Sequence, residues 1–303
     1  MPNSKAKIVW CFLNISDPLV AWETYRGVLI SPDCYVVEKH PSISFWQLRF
    51  LKNISSIQSI NELKLETIRQ LYYPQKVSRF RGFYYFDNQS TALKAANLWG
   101  IDYFNIFCLT EVGIDPNSIY SKLDSNWITL YANKINDNDN WMHSYWKGDP
   151  CPDFDEPIWE LLIITRGLIY NNELRMRAYE SIKNNNPMTI LPMLEQARLA
   201  AYLNSDLGHG SPYIIKQNET KYTVKYIMDM QDANNEEYLR RLKNYVKNSE
   251  NHKNINFKDL SLIDKYNVFS VPDLRVKQFE FELNKTGILK DFKIEKIVHN
   301  YNL

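Results

Sequence analysis

Two stretches of this chain carry the residue types best suited to chemistry. The first, GFYYFD at 82–87, places Tyr84 and Tyr85 side by side in an apolar run. It holds more aromatic rings than a core strand needs, and stacked rings can hold a flat, cationic group through their π faces. The second, WELLII at 159–164, contains a single carboxylate, Glu160. Burying an unpaired carboxylate is costly, so Glu160 either faces solvent or has a function.

Strands must position these side chains, because the apolar pattern makes the chain strand-rich up to about residue 170. Side chains alternate along a strand, so we expect Tyr84 to face one side of the sheet and Tyr85 the other. The predicted strands are 7–15, 80–86, 103–114, 127–132 and 158–164.

Two helices between these strands have signals at both ends. Asp17-Pro18 predicts a helix start and Gly27 its end. Ser90 is the predicted N-cap of a second helix, which ends at Gly100.

Beyond residue 170 the apolar spacing becomes helical. Leu174, Ala178 and Ile182 recur at that spacing, and residues 238–248 have an apolar stripe opposite a basic face. We therefore predict an α+β chain of two parts. Residues 1–170 form the domain that carries the chemistry, and residues 171–303 form an appended, mainly α-helical region.

Composition excludes several classes of protein. A net charge of +1 lacks the basic footprint of a nucleic-acid binder. No run approaches the roughly 18 apolar residues of a membrane span, and the apolar run near the N-terminus is too short for a secretory signal. We expect synthesis in a cytoplasm without a cleavable signal peptide. The histidines show no paired spacing, so no metal site is expected.

The order of these motifs resembles the middle of the ADP-ribosyltransferase catalytic domain of poly(ADP-ribose) polymerases and bacterial ADP-ribosylating toxins. The matching stretches are GFYYFD at 82–87, Ser90-Thr91-Ala92, TEVGI at 110–114 and WELLII at 159–164. The resemblance covers about residues 7–170. It implies a split, mixed or antiparallel β-sheet core that binds NAD+.

The resemblance also implies roles for individual residues. Tyr84 would stack on nicotinamide with Tyr85 beside it, and Ser90 or Thr91 would bind the carboxamide. Glu160 would be the catalytic carboxylate. Breaking the nicotinamide–ribose bond passes through an oxocarbenium-like state, which a nearby carboxylate favours.

Two stretches compete for the first motif of this family. One branch carries His-x-Ser/Thr on its first strand, where this chain has Asn-Ile-Ser at 14–16 and no histidine before His40. Asn14 can still hydrogen-bond a ribose hydroxyl, with Ser16 beside it. The other branch begins with an arginine, and Tyr-Arg-Gly at 25–27 resembles its motif. Either Asn14 with Ser16, or Arg26, is therefore expected at the NAD+ site.

The function implied by the resemblance is a mono-ADP-ribosyltransferase that uses NAD+, modifies a protein side chain and releases nicotinamide. The helical region would recognise the target protein. Ile158 stands where arginine-modifying members carry a second acid, so arginine as the acceptor stays open. Two alternatives remain, an inactive fold that serves as a binding module and an NAD+ glycohydrolase. A toxin-like domain suggests a bacterial effector delivered by a secretion machine, and a toxin–antitoxin or anti-phage role fits equally.

Overall fold

The computed structural model describes residues 5–34, 42–135, 138–248 and 270–297. Within these ranges the chain combines helices with antiparallel sheets, which confirms the predicted mixture of α and β structure. No helix in these ranges is long and apolar enough to cross a membrane.

Seven strands with antiparallel neighbours form the larger of two sheets in the described residues. They are β1 (Lys7–Phe12), β2 (Val28–Ile30), β3 (Phe83–Phe86), β4 (Leu109–Ile114), β5 (Ile119–Asp124), β6 (Trp159–Ile164) and β7 (Arg166–Ile169). Their spatial order is β2-β7-β4-β1-β3-β6-β5. The strand with the two tyrosines, β3, therefore lies between β1 and the glutamate strand β6.

Helices cover this sheet, and a second, smaller sheet follows in the chain. The α-helices are α1 (Pro18–Arg26), α2 (Leu48–Lys52), α3 (Ile57–Tyr72), α4 (Gln89–Trp99), α5 (Asn126–Tyr131), α6 (Asn140–Lys147), α7 (Asn172–Asn185), α8 (Leu191–Tyr202) and α9 (Glu236–Asn248). The smaller sheet has the order β10-β9-β8 and consists of β8 (Gly210–Lys216), β9 (Lys221–Met228) and β10 (Phe279–Glu282).

The first predicted helix is confirmed at both ends. Asp17 is the N-cap of α1 and accepts hydrogen bonds from the backbone N–H groups of Leu19 and Val20. Pro18 occupies the first turn, where its missing N–H costs nothing. Gly27 ends the helix with φ of +86°, a left-handed conformation that glycine adopts at low cost.

The start of α4 was predicted wrongly. Asn88, not Ser90, is the N-cap, and its side chain accepts from the backbone N–H of Thr91. Asparagine caps helices about as well as serine, so the helix begins at the earlier of two suitable residues. The predicted end at Gly100 is confirmed.

The predicted strand at 127–132 is wrong, because this segment forms helix α5. Its β-branched and aromatic residues favour a strand locally, but tertiary bonds override that preference. The Asn126 side-chain amide donates to the carbonyl of Glu156 at 2.9 Å, and the Trp127 indole donates to the carbonyl of Asp149 at 2.8 Å. The sheet edge is instead β5, which was missed because Ile119 and Tyr120 are exposed and Ser121 and Asp124 are buried, so the apolar pattern does not mark a strand.

Two predicted strands are shorter than expected. The first strand ends at Phe12, because the chain then turns, with the Asp17 N–H donating to the carbonyl of Asn14. The predicted strand at 103–114 begins only at Leu109. The residues before it form turns that leave the rings of Tyr103 and Phe104 free to line a cavity.

Buried clusters cross the boundary predicted at residue 170. Val9, Tyr85 and Val112 of the large sheet share one cluster with Leu174 of α7 and Leu194 of α8. In this way α1, α7 and α8 cover one face of the large sheet.

The region after residue 170 also contains the three-stranded sheet, which the helical prediction missed. Its apolar face packs onto the earlier part of the chain, because Val224 and Phe281 share a cluster with Leu51, Leu63 and Phe80. Strands β8 and β9 lack a regular alternation of buried and exposed residues, so their sequences carry no clear strand signal.

The alternation of β3 decides which side chains face the site. Phe86 pairs directly with Glu160 and Tyr84 with Leu162, so these four side chains share one face of the sheet. The ring of Tyr85 lies on the opposite face, in the cluster covered by α1 and α7.

Candidate functional site

A cavity of about 390 Å³ lies over the ends of β3 and β6. Its size falls within the range of small-molecule sites. Its walls are mainly aromatic, with the rings of Phe12, Trp46, Phe50, Tyr84, Phe86, Trp99, Tyr103 and Phe104. Glu160 and Arg79 are the buried charged residues that border it.

Glu160 is only 5 % exposed, yet it borders this cavity. Its Oε1 accepts from a guanidinium nitrogen of Arg79 at 2.8 Å and from the Tyr145 hydroxyl at 2.6 Å. Both bonds go to the same oxygen. Within the described residues, Oε2 has no hydrogen-bond partner, so it can accept from a hydroxyl of a ligand.

Arg79 joins Glu160 to a second buried carboxylate. Its Nε donates to Oε1 of Glu62 on α3 at 2.5 Å, and its Nη1 also donates to the Tyr145 hydroxyl. Glu62 and Arg79 are both less than 5 % exposed. Two carboxylates thus share one guanidinium, and the ionised cluster carries a formal charge of −1 beside the cavity.

The pKa values of this cluster follow from its burial. Burial raises the pKa of Glu160, Glu62 adds to the rise, and Arg79 and the Tyr145 hydrogen bond oppose it. Burial acts against the charge of Arg79, but its anionic neighbours outweigh this and raise its pKa. Burial also raises the pKa of Tyr145, so its hydroxyl keeps the proton that it donates to Glu160.

Tyr84 forms a fixed wall beside this cluster. Its hydroxyl accepts from Nε2 of Gln47 and donates to the carbonyl of Arg79 at 3.3 Å. The Arg79 guanidinium lies 5.1 Å from the centre of its ring. The edge of Trp46 meets the same ring at 6.3 Å between centroids. These contacts hold the ring in place before any ligand binds.

Gln47 contributes an amide group to the same wall. The residue is buried and borders the cavity, and its Oε1 has no hydrogen-bond partner within the described residues. Unpaired buried amide oxygens are uncommon, because they lose their bonds to water. A ligand with an N–H donor would restore that bond.

Asn14 and Ser16, the first of the two predicted motifs, lie near the cavity but not in it. Asn14 borders a second cavity of about 160 Å³, which adjoins the first. Its Oδ1 accepts from the backbone N–H of Ser16 at 3.2 Å. Ser16 is exposed and borders neither cavity.

Arg26, the competing candidate, lies elsewhere. It is buried in an ion pair with Glu23 at 2.6 Å and contacts His209 at 3.0 Å. Glu23 in turn accepts from the backbone N–H of Gly210 at 2.7 Å. This network joins α1 to the start of β8 and keeps the Arg26 guanidinium away from both cavities.

Three other predicted residues do not present their side chains to the cavity. The ring of Tyr85 is fully buried in the core, although the residue borders the cavity. Ser90 is exposed on α4, and the Thr91 hydroxyl donates to Oδ1 of Asn88 at 3.0 Å. Neither Ser90 nor Thr91 lines the cavity.

Sequence reasoning missed the partners of Glu160. Arg79 and Arg81 stand among apolar residues just before β3, and two arginines in such a run are a signal for buried ion pairs. Glu62 and Tyr145 gave no such signal. They occupy ordinary positions on helices and become partners only through the fold.

No acid occupies the position two residues before Glu160. Ile158 is buried among Phe12 and Phe86. Glu156 is exposed and pairs with Lys94. The described residues also contain no group of three or more His, Cys, Asp or Glu side chains that could hold a metal ion.

Residues 35–166 match the model of DUF2441, a family described as proteins of unknown function. The match includes Glu62, Arg79, Tyr84, Tyr145 and Glu160, and it ends before the smaller sheet. No curated protein and no solved structure matches the chain.

Proposed function

We propose that this protein is a mono-ADP-ribosyltransferase that binds NAD+ in the aromatic cavity and cleaves its nicotinamide–ribose bond. The observation that carries the proposal is Glu160. It is a buried carboxylate that borders the cavity beside the fixed ring of Tyr84, with one oxygen held by Arg79 and Tyr145 and the other without a partner among the described residues.

Charge and shape favour this ligand over a neutral one. The nicotinamide ring of NAD+ is flat and cationic, and aromatic walls attract such a ring. The cluster of Glu62, Arg79 and Glu160 is formally anionic and preorganised by short bonds. Positive charge moves onto the ribose as the glycosidic bond breaks, and a preorganised carboxylate stabilises that charge in a buried site.

The arrangement of strands supports the resemblance to the ADP-ribosyltransferase core. The family motifs were assigned to the first strand, the tyrosine strand and the glutamate strand. These strands are β1, β3 and β6, which are neighbours in that order in the large sheet. Tyr84 and Glu160 also share a face. Tyr84 and Glu160, far apart in sequence, therefore meet at one cavity, although the other candidate motif residues Asn14, Ser16, Arg26, Ser90 and Thr91 do not line it.

In this proposal Gln47 replaces the serine or threonine expected at the carboxamide. Its buried amide bonds the Tyr84 hydroxyl and has an unpaired oxygen. That oxygen would accept from the carboxamide NH2 of nicotinamide. The acceptor is a protein side chain, bound by the region after residue 170. Delivery as a bacterial effector and a resident toxin–antitoxin or anti-phage role are the two contexts that suit such an enzyme.

One observation favours an inactive binding module as the second candidate. Arg79 neutralises part of the charge of Glu160, and the family's histidine is absent from the first strand. A site of this kind could hold NAD+ or ADP-ribose without cleaving either.

The test uses NAD+ labelled in either half, incubated with the protein and a bacterial or animal cell lysate. If a discrete protein becomes labelled from the adenylate half of NAD+ and free nicotinamide is released, the proposed transferase activity is supported. Free nicotinamide without labelled protein identifies a glycohydrolase, and binding without either product identifies the binding module. Glu160→Gln should slow turnover by roughly a hundredfold or more. Glu111→Gln, a half-buried carboxylate on β4 away from the cavity, is the matched control.

A further inference from the structure

A second cavity of about 160 Å³ adjoins the first. Both are lined by Trp46, Arg49 and Tyr103. A ligand that passed these three residues would contact both cavities.

Arg49 is the cation at this junction. It lies on α2 with an exposed side chain, and its guanidinium contacts the ring of Phe50 at 4.6 Å. Within the described residues it has no hydrogen bond to a side chain and no ion pair. Arginine at a groove wall commonly binds phosphate through paired N–H donors.

The positive charge of Arg49 affects the pKa values of two tyrosines that line the cavities. Burial raises the pKa of Tyr84, which borders the first cavity, and Arg49 is among the groups that oppose the rise. Burial likewise raises the pKa of Tyr103 in the shared wall, and Arg49 again opposes it. Arg49, Tyr84 and Tyr103 also line the first cavity together.

The second cavity has the chemistry of a site for a neutral, flat base with a sugar. Three rings besides that of Tyr103 line it, those of Phe45, Trp46 and Tyr226. Asn14 and Asp17 provide the polar edge. The Asn14 Nδ2 has no partner within the described residues. Asp17 is engaged, because it caps α1 and pairs with Lys277.

We infer that the two cavities form one groove for a dinucleotide, in which Arg49 binds the pyrophosphate and the cavity beside Asn14 holds the adenosine half. The inference rests on the proposed function, because it takes NAD+ as the ligand. It adds a phosphate-binding residue and a second subsite, and it makes Asn14 a contact of the adenosine half.

The test measures binding of ADP-ribose and of nicotinamide alone by calorimetry. ADP-ribose needs the junction and the second cavity, whereas nicotinamide needs only the first. Arg49→Met should weaken ADP-ribose binding by roughly tenfold or more, the effect of losing charged hydrogen bonds, and should leave nicotinamide binding unchanged. Asn14→Leu should weaken ADP-ribose alone by a smaller factor.

Lys52→Met is the matched control, because Lys52 is an exposed cation on the same helix and borders neither cavity. An unchanged ADP-ribose affinity in Arg49→Met, or an equal loss in Lys52→Met, overturns the inference while the proposed function stands. If the wild-type protein binds neither NAD+ nor nicotinamide, the proposed function fails and the inference fails with it.

Discussion

At the scale of single residues, the ring of Tyr84 is held at the cavity because its hydroxyl already both accepts and donates a hydrogen bond. Gln47 donates to the hydroxyl, and the hydroxyl donates to the carbonyl of Arg79. A ligand ring that stacks here meets a surface that loses little conformational freedom on binding. Such preorganised contacts add to affinity because less ordering is required.

Replacing Tyr84 should therefore lower affinity without unfolding the protein. We expect Tyr84→Ala to weaken NAD+ binding by about 1–2 kcal/mol, the contribution of a stacked ring. Calorimetry on the purified variant measures the change. Tyr202→Ala removes an exposed tyrosine on α8 and should bind as the wild type does. Equal affinity of Tyr84→Ala and wild type would show that the ring does not hold the cofactor.

The raised pKa of Glu160 links this residue to stability. A folded protein in which a carboxyl has a raised pKa binds the proton more tightly than the unfolded chain does. The stabilisation is fully present below the ordinary pKa of glutamate, and it is lost as pH rises through the folded pKa. The Glu160→Gln variant has no carboxyl at this position, so its stability does not include this pH-dependent contribution.

The free energy of unfolding of Glu160→Gln, relative to wild type, should therefore increase as pH rises through this window. Urea unfolding of both proteins at a series of pH values measures the difference. A difference that stays constant with pH would mean that the pKa of Glu160 is the same in the folded and unfolded states.

At the scale of elements, the glycine before β8 fits closely against α8. Gly208 has φ of +75°, and a Cβ there would lie 2.4 Å from the Cβ and 3.0 Å from the Cα of Ala197. Its carbonyl accepts from the indole of Trp22 at 2.7 Å. A side chain at this position would separate α8 from the turn that leads into the smaller sheet.

We expect Gly208→Ala to destabilise the protein more than Gly100→Ala. Both positions have positive φ, which costs alanine about 1–2 kcal/mol. Nothing lies within 4 Å of a Cβ at Gly100, so that variant measures the backbone cost alone. The clash with Ala197 should add about 1–3 kcal/mol at Gly208. Urea unfolding curves of the two variants give the comparison, and equal losses would contradict the close fit.

Local sequence signals were sufficient for some elements and insufficient for others. The strand that carries Glu160 and the helix between Asp17 and Gly27 were predictable, because an apolar run and cap residues decide them. The segment at 127–132 was not, because its helical state is supported by bonds from Asn126 to the carbonyl of Glu156 and from Trp127 to the carbonyl of Asp149. Both partners lie more than twenty residues further along the chain.

At the scale of the whole molecule, the site joins parts of the chain that no local pattern connects. Glu62, Arg79, Tyr145 and Glu160 come from α3, a turn, α6 and β6. The proposed catalytic carboxylate and the tyrosine could be suggested from motif order. Their buried partners could not, since nothing in the sequence around Glu160 indicates a partner such as Arg79, 81 positions away.

The shared core predicts that the first part of the chain does not fold alone. A fragment of residues 1–170 lacks α7 and α8, which cover one face of the large sheet, and lacks the sheet that packs on Leu51 and Phe80. We expect it to show no cooperative unfolding transition by circular dichroism in urea. A sharp transition like that of the full chain would establish residues 1–170 as an independent domain.

The most direct test of the account is single-turnover release of nicotinamide by Glu160→Gln, beside Glu111→Gln and wild type. If Glu160 stabilises the oxocarbenium-like state and not the bound substrate, its loss lowers the rate and leaves affinity nearly unchanged. We predict that Glu160→Gln is slower by roughly a hundredfold or more, about 3 kcal/mol, while Glu111→Gln keeps its rate. Full activity in Glu160→Gln, or an equal loss in the two variants, would contradict the catalytic role of Glu160.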